Sequence, residues 1–175
     1  MVASSFLPVA IHRGELYFLF GKEVDHDSMP GFSDFGGRVE PNESILDAGI
    51  REFAEEITGF LGNETQLRKQ IQKTGCLDYV YEKHKYHIHI LPIAYDESLV
   101  KYFNASHQFI HSKVPTEELK KYSLFEKTEL KWFSVKEMEN TDQFREFYRE
   151  IVPFLLNRRS EIRAFLKPKR KTRKA

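Results

Sequence analysis

The sequence predicts an α+β domain, and three observations carry that expectation. Apolar runs of strand length stand early (Phe6 to His12, Glu15 to Gly21), in the middle (Cys76 to Glu82, Tyr86 to Tyr95) and late (Leu130 to Val135). Helical periodicity follows the early runs after Glu43 and the late one after Gln143. At 175 residues the chain suits one domain with a full core, assigned here to residues 1–166, with residues 167–175 as a basic tail.

The first two runs meet at Arg13-Gly14, a hairpin junction, and the second is apolar on both faces, as an interior strand is. Residues 22 to 33 are polar with a Pro-Gly pair and predict a mobile loop near the site, and Ser33 to Val39 predicts a short strand. From Gly36 the chain reads GGRVEPNESILDAGIREFAEEITGF: a Gly-Gly pair, a turn at Pro41-Asn42, then a helix of about four turns. Leu46, Ile50, Phe53, Ala54 and Ile57 form its apolar stripe. Glu64 to Lys73 predicts a short second helix. The middle runs predict a strand pair about Lys83 to Lys85, with His87 and His89 on one face and Ile88 and Ile90 on the other. Two such histidines could ligate a transition metal, but no third ligand is evident, and the expectation is that they are polar or substrate-facing. Between Tyr95 and Lys121 only Thr116 to Lys121, after Pro115, reads as a helix. Gln143 to Phe165 predicts a long helix, kinked at Pro153.

Composition narrows the class. Apolar content of 41% and charged content of 30% are ordinary for a soluble globular protein. The single cysteine, Cys76, excludes an internal disulfide and fits a reducing compartment. No stretch approaches the roughly 18 apolar residues of a membrane span, and no signal peptide is visible, so the expected location is the cytoplasm or the nucleus. From Arg158 to Ala175 nine Lys or Arg stand against Glu161 alone, so this end carries +8 and the remainder −7 of the formal +1. An acidic body carries a basic tail.

The chemistry concentrates on the helix after Glu43. Glu52, Glu55 and Glu56, at i, i+3 and i+4, bring three carboxylates together on the side away from the apolar stripe. Two readings fit that spacing. It is a solvated acidic face with Arg51 as counter-ion, or it is a site for a hard divalent cation, which clustered carboxylate oxygens prefer.

The same stretch resembles the Nudix box, G-x5-E-x7-R-E-U-x-E-E-x-G-U with U a bulky aliphatic residue. Gly37, Glu43, Arg51, Glu52, Phe53, Glu55 and Glu56 stand at the required spacings, with Phe53 in the U position. The match departs at one place: two residues, Ile57 and Thr58, precede Gly59-Phe60 where the family has one. The order of elements also resembles the Nudix fold, a mixed sheet between helices in an α/β/α sandwich. Other stretches, such as LPVAIHRGELYFLFGKE and FEKTELKWFSV, look like small Nudix proteins of large DNA viruses.

The resemblance implies hydrolysis of a diphosphate bond within a nucleoside diphosphate linked to another group, with Mg²⁺ or Mn²⁺ as cofactor. It implies Glu52, Glu55, Glu56 and the Gly37 carbonyl as metal ligands, Arg51 holding the carboxylates, and Glu43 supporting them. A further glutamate before the last strand is expected as the base, Glu126 ahead of Glu129. Arg38, Phe35, Phe32, Tyr81, His87 and His89 are candidate substrate contacts, the aromatics by stacking on a base. In the tail, Lys167, Lys169, Arg170, Lys171, Arg173 and Lys174 are expected to form a disordered arm that meets RNA phosphates; a nuclear localisation signal or a solubilising end would have the same composition. Capped RNA is the expected substrate. A small nucleotide, ADP-ribose or a diphosphoinositol polyphosphate is the alternative, and a non-catalytic binding module is the third reading.

Overall fold

A computed structural model describes residues 2–23, 30–121 and 126–167, the side chain of Lys120 excepted. Strand β1 (Ala3–His12) turns through Arg13 and Gly14, with φ of 50° and 82°, into β2 (Glu15–Glu23). These left-handed values make the two-residue primed turn that suits a twisted hairpin. The short β3 (Phe32–Ser33) and β4 (Phe35–Arg38) follow and lead into α1 (Ile45–Glu56). Next come α2 (Glu64–Thr74), β5 (Leu77–Tyr81) and β6 (Tyr86–Pro92), the two strands joined through a 3₁₀ turn at Glu82–His84. Then α3 (Glu97–Lys113) and α4 (Thr116–Lys121) precede β7 (Lys127–Ser134), and α5 (Val135–Met138), α6 (Ile151–Leu156) and α7 (Arg159–Leu166) end the described chain.

The seven strands form one mixed sheet, in the order β3-β2-β1-β6-β5 with β4 also on β1 and β7 also on β2. β1 is its centre. One edge of β1 is shared between β2 and β4, both antiparallel, and the other runs parallel to β6. Alternation along the strands sends side chains to two separate cores. Leu7, Val9, Phe18, Phe20, Ile88 and Ile90 face Tyr148, Ile151, Leu155 and Ile162 on the C-terminal side. Phe6, Ala10, Leu19 and Leu91 face Ile50, Phe53, Ile57 and Phe103 on the other. A mixed sheet therefore lies between two helical layers, and the α+β expectation holds.

Several expectations are corrected. The helix after the Gly-Gly pair has 12 residues, nearer three turns than four, and Leu46 of the expected stripe is left exposed at its first turn. The stretch after Tyr95 holds a 17-residue helix, α3, that the sequence pattern did not announce. Asp96 caps it by accepting from the Ser98 N–H at 2.8 Å. Only Leu99 and Phe103 of α3 are buried, while Tyr102 and Phe109 face outward, so apolar residues on both sides blur the period. The long C-terminal helix is instead a 3₁₀ turn at Glu146–Glu150, then α6, then α7, with the break at Asn157-Arg158. Pro153 lies in the first turn of α6, where a backbone N–H has no helical partner to lose. The last strand begins at Lys127, not Leu130, because it pairs with β2 as far as Glu23. Residues 24–29 of the expected loop and 168–175 of the tail lie outside the described residues. Among those described, no helix is long and apolar enough to cross a membrane.

Candidate active site

Two elements bring the acidic residues together. β4 lies along the start of β1, with Gly37 opposite Ser4, and α1 crosses above it. Ser44 caps α1 by accepting from the Asp47 N–H at 3.1 Å and donates its own hydroxyl to the Asp47 carboxylate at 2.6 Å. A side chain at Gly37 would meet the Glu52 carboxylate, since a Cβ there would lie 2.5 Å from it. Glycine is what lets the strand and the acidic helix approach this closely.

Arg51 organises the exposed part of the cluster. Its Nε and Nη2 donate to the two oxygens of Glu43 at 3.0 and 3.2 Å, and its Nη1 donates to Glu52 at 2.8 Å. Nη1 also reaches Glu55 at 3.5 Å, and Nη2 reaches the Arg38 carbonyl at 3.2 Å. These bonds, those to Glu43 foremost, raise the guanidinium pKa above its ordinary value and lower that of Glu43. Arg51 is thus in contact with Glu43, Glu52 and Glu55 at once.

The three glutamates do not share one environment, contrary to the face predicted from their spacing. Glu55 is largely exposed, Glu52 is partly covered, and Glu56 is buried. One oxygen of Glu56 accepts from the Gly36 N–H at 2.8 Å and the other lies 3.1 Å from the Lys127 ammonium. Burial pushes its carboxyl up to about 8, against the pull of Lys127 and with the push of Glu23 and Glu126. Lys127, Glu23 and Arg145 have no counterpart among the residues singled out from the sequence. Lys127 is buried and donates to Glu23 and, at 3.3 Å, to the Ser33 hydroxyl; Arg145 donates to the same Glu23 oxygen at 2.7 Å. Room for the lysine stem comes from Gly21 across the β2–β7 pair, where a Cβ would lie 2.8 Å from Lys127 Cγ.

Glu126 stands exposed immediately before β7, and its charge raises the pKa of both Glu55 and Glu56, after burial. Glu129 lies within β7 opposite Lys22. Beside the box, a cleft of about 340 Å³ is lined by Gly36, Gly37, Arg38, Arg145, His84, Tyr86 and Phe147 among others. Of the candidate substrate contacts, only Arg38 lines it. Phe35 and Phe32 are core residues, the first against Phe53 at 5.4 Å and the second against Phe133 at 5.0 Å, so neither offers a face to a base. Tyr81 lies on Phe154 with its hydroxyl toward Glu150. His89 is buried with both ring nitrogens engaged, at Ser4 and Asp78, and His87 is half-buried on the same strand. Of the tail residues, Lys167 is exposed; Lys169, Arg170, Lys171, Arg173 and Lys174 lie outside the described residues.

A profile of the NUDIX domain matches residues 9–155. The chain belongs to the Nudix family. Over 84 residues, 46% of its length, this Nudix chain is 32% identical to an uncharacterised protein of Acanthamoeba polyphaga mimivirus, and the match spans only 22% of that protein. Its fold is similar to the Ap4A hydrolase of C. elegans seen in a binary complex, with a TM-score of 0.54 and 18% identity over 93% of this chain and 98% of that one. The Nudix box departs from the family spacing at its exit. Thr58 and Gly59 both take left-handed φ, 53° and 72°, and Gly59 N–H donates to the Ala54 carbonyl at 3.2 Å. The added residue is absorbed there, past every charged position of a Nudix hydrolase acid set. That set has the chemistry a divalent cation takes: Glu52 closes over a strand with no side chain at Gly37, and the carboxylates of Glu52, Glu55 and Glu56 meet the cations of Arg51 and Lys127.

Proposed function

We propose that the protein cleaves the diphosphate linkage of a nucleoside diphosphate joined to another group, with Mg²⁺ or Mn²⁺, and that capped RNA is its substrate. The observation that carries the chemistry is the junction of the carboxylate cluster with a cleft bearing Arg38 and Arg145 beside Phe147 and His84. Cations suit phosphates and aromatic rings suit a base. Glu52, Glu55, Glu56 and the Gly37 carbonyl would hold the cation, which supplies charge screening and polarisation of a phosphoryl oxygen. Arg51 keeps Glu43, Glu52 and Glu55 in place, and Glu126 would accept the proton of the attacking water.

Support for RNA over a small molecule comes from the +8 end of the chain, which suits a phosphate backbone. The test compares turnover of capped RNA, dinucleoside polyphosphates, nucleoside triphosphates, ADP-ribose and diphosphoinositol polyphosphates with each metal. Capped RNA should be the best substrate. Deleting residues 167–175 should weaken capped-RNA binding and flatten its salt dependence, while a cap dinucleotide is hydrolysed as before. Faster turnover of a small molecule, with no effect of the deletion, would replace the RNA assignment and keep the chemistry. No turnover of any diphosphate would leave the binding-module reading.

A further inference from the structure

His89, which lies outside the candidate active site, stands in a second cluster. Asp78 and His89 are direct partners in the β5–β6 ladder, and Cys76 precedes Asp78 by two residues, so all three project from one face of the sheet. The Asp78 Oδ1 lies 2.6 Å from His89 Nδ1 and 3.3 Å from Cys76 Sγ, and the three ligand atoms lie within 4.8 Å of one another. Among the described residues no other such group of Cys, His and acidic side chains occurs. We propose that Cys76, Asp78 and His89 form a second metal site, for a borderline-soft divalent ion such as Zn²⁺.

Three features of the cluster point to a metal beyond the mere proximity of polar groups. The donors are a sulfur, an imidazole nitrogen and one carboxylate, a mixture that zinc takes and that Mg²⁺ does not. His89 is buried and already oriented: its Nε2 lies 3.1 Å from the Ser4 hydroxyl and its ring packs on Phe6 at 5.0 Å. A metal would replace the proton shared between Nδ1 and Asp78, while Nε2–H donates to the Ser4 hydroxyl, the arrangement by which metal-bound histidines are held. Asp78 is exposed and Cys76 half-buried, so an ion can enter from solvent and keep a water as its fourth ligand. Without a metal, burial and the Asp78 carboxylate push the Cys76 thiol up to about 12.

The two sites separate by ligand softness, which makes the test clean. Full-length reduced protein is held in excess Mg²⁺, so that the glutamate cluster keeps a hard cation, and is titrated with Co²⁺. Because Cys76 is the chain's single cysteine, a thiolate-to-cobalt charge-transfer band can come only from this site. The expected result is a band that saturates at one equivalent and is displaced by Zn²⁺. Cys76→Ser should abolish it, and Asp78→Asn should weaken cobalt binding by about tenfold or more. Asp78→Asn is exposed and should leave the fold intact, which circular dichroism checks. Absence of the band, saturation at half an equivalent through thiols of two chains, or an affinity unchanged by Asp78→Asn would each overturn the site.

Discussion

Glu56 combines burial with charge. Burial raises its carboxyl pKa to about 8, Lys127 draws it down, and Glu23 and Glu126 raise it. Glu56→Gln keeps the volume and keeps an acceptor for the Gly36 N–H, while Lys127 retains Glu23. Turnover should fall by about 10²-fold or more, as when charge stabilisation is removed from a reacting centre. The thermal midpoint of the metal-free protein should stay level or rise, because a costly buried carboxylate is gone. A folded variant with a near-normal rate removes Glu56 from the ligand set. Glu126→Gln tests the base: the rate should drop by about 10²–10⁴-fold with metal affinity little changed. Glu129→Gln, on β7 and opposite Lys22, should be nearly silent in the same assay. The carboxylates and Arg51 were legible because box spacing specifies them. Lys127 was not, since a lysine beside two glutamates reads as surface charge until Gly21 is seen to make room for it from another strand.

At the scale of elements, α1 carries its chemistry in the last turn and its cap in the first. Ser44→Ala removes the acceptor for the Asp47 N–H and should cost about 1 kcal/mol of stability, read by urea unfolding. The rate at 25 °C should hardly move, because Glu52, Glu55 and Glu56 sit at the far end, tied to Arg51, Gly36 and Lys127. A parallel loss of rate would mean that the first turn positions the acids. The β1–β2 hairpin, the β5–β6 pair, α1 and α2 were legible in the sequence, since each has an apolar run or period of the right length and a turn or cap beside it. α3 was hidden by apolar residues on its outer side, Tyr102 and Phe109. The kink expected at Pro153 does not fall there, because proline is tolerated in the first turn of α6; the actual break is at Asn157-Arg158.

For the whole molecule, a buried carboxylate ties the central strands to each other. Asp34, between β3 and β4, accepts from the Tyr86 hydroxyl on β6 at 2.5 Å and from the Ser5 hydroxyl on β1 at 2.7 Å. Burial pushes its carboxyl from 3.8 up to about 6, with those hydroxyls holding it back. Between those two values the folded chain keeps a proton that the unfolded chain has released. Stability therefore falls as pH rises through that window, and the loss is complete above the folded-state value. The stability difference between the wild type and Asp34→Asn isolates this carboxyl from the other titrating groups. Urea unfolding from pH 4 to 7 should show the wild type losing ground to Asp34→Asn by roughly 2–3 kcal/mol, because each tenfold change in proton affinity is worth about 1.4 kcal/mol. The asparagine also loses one acceptor for the two hydroxyls, which lowers its stability at every pH and leaves the slope unaffected. A difference that stays constant across the range would mean that Asp34 titrates alike in both states, and that the bonds to Tyr86 and Ser5 offset its burial in full.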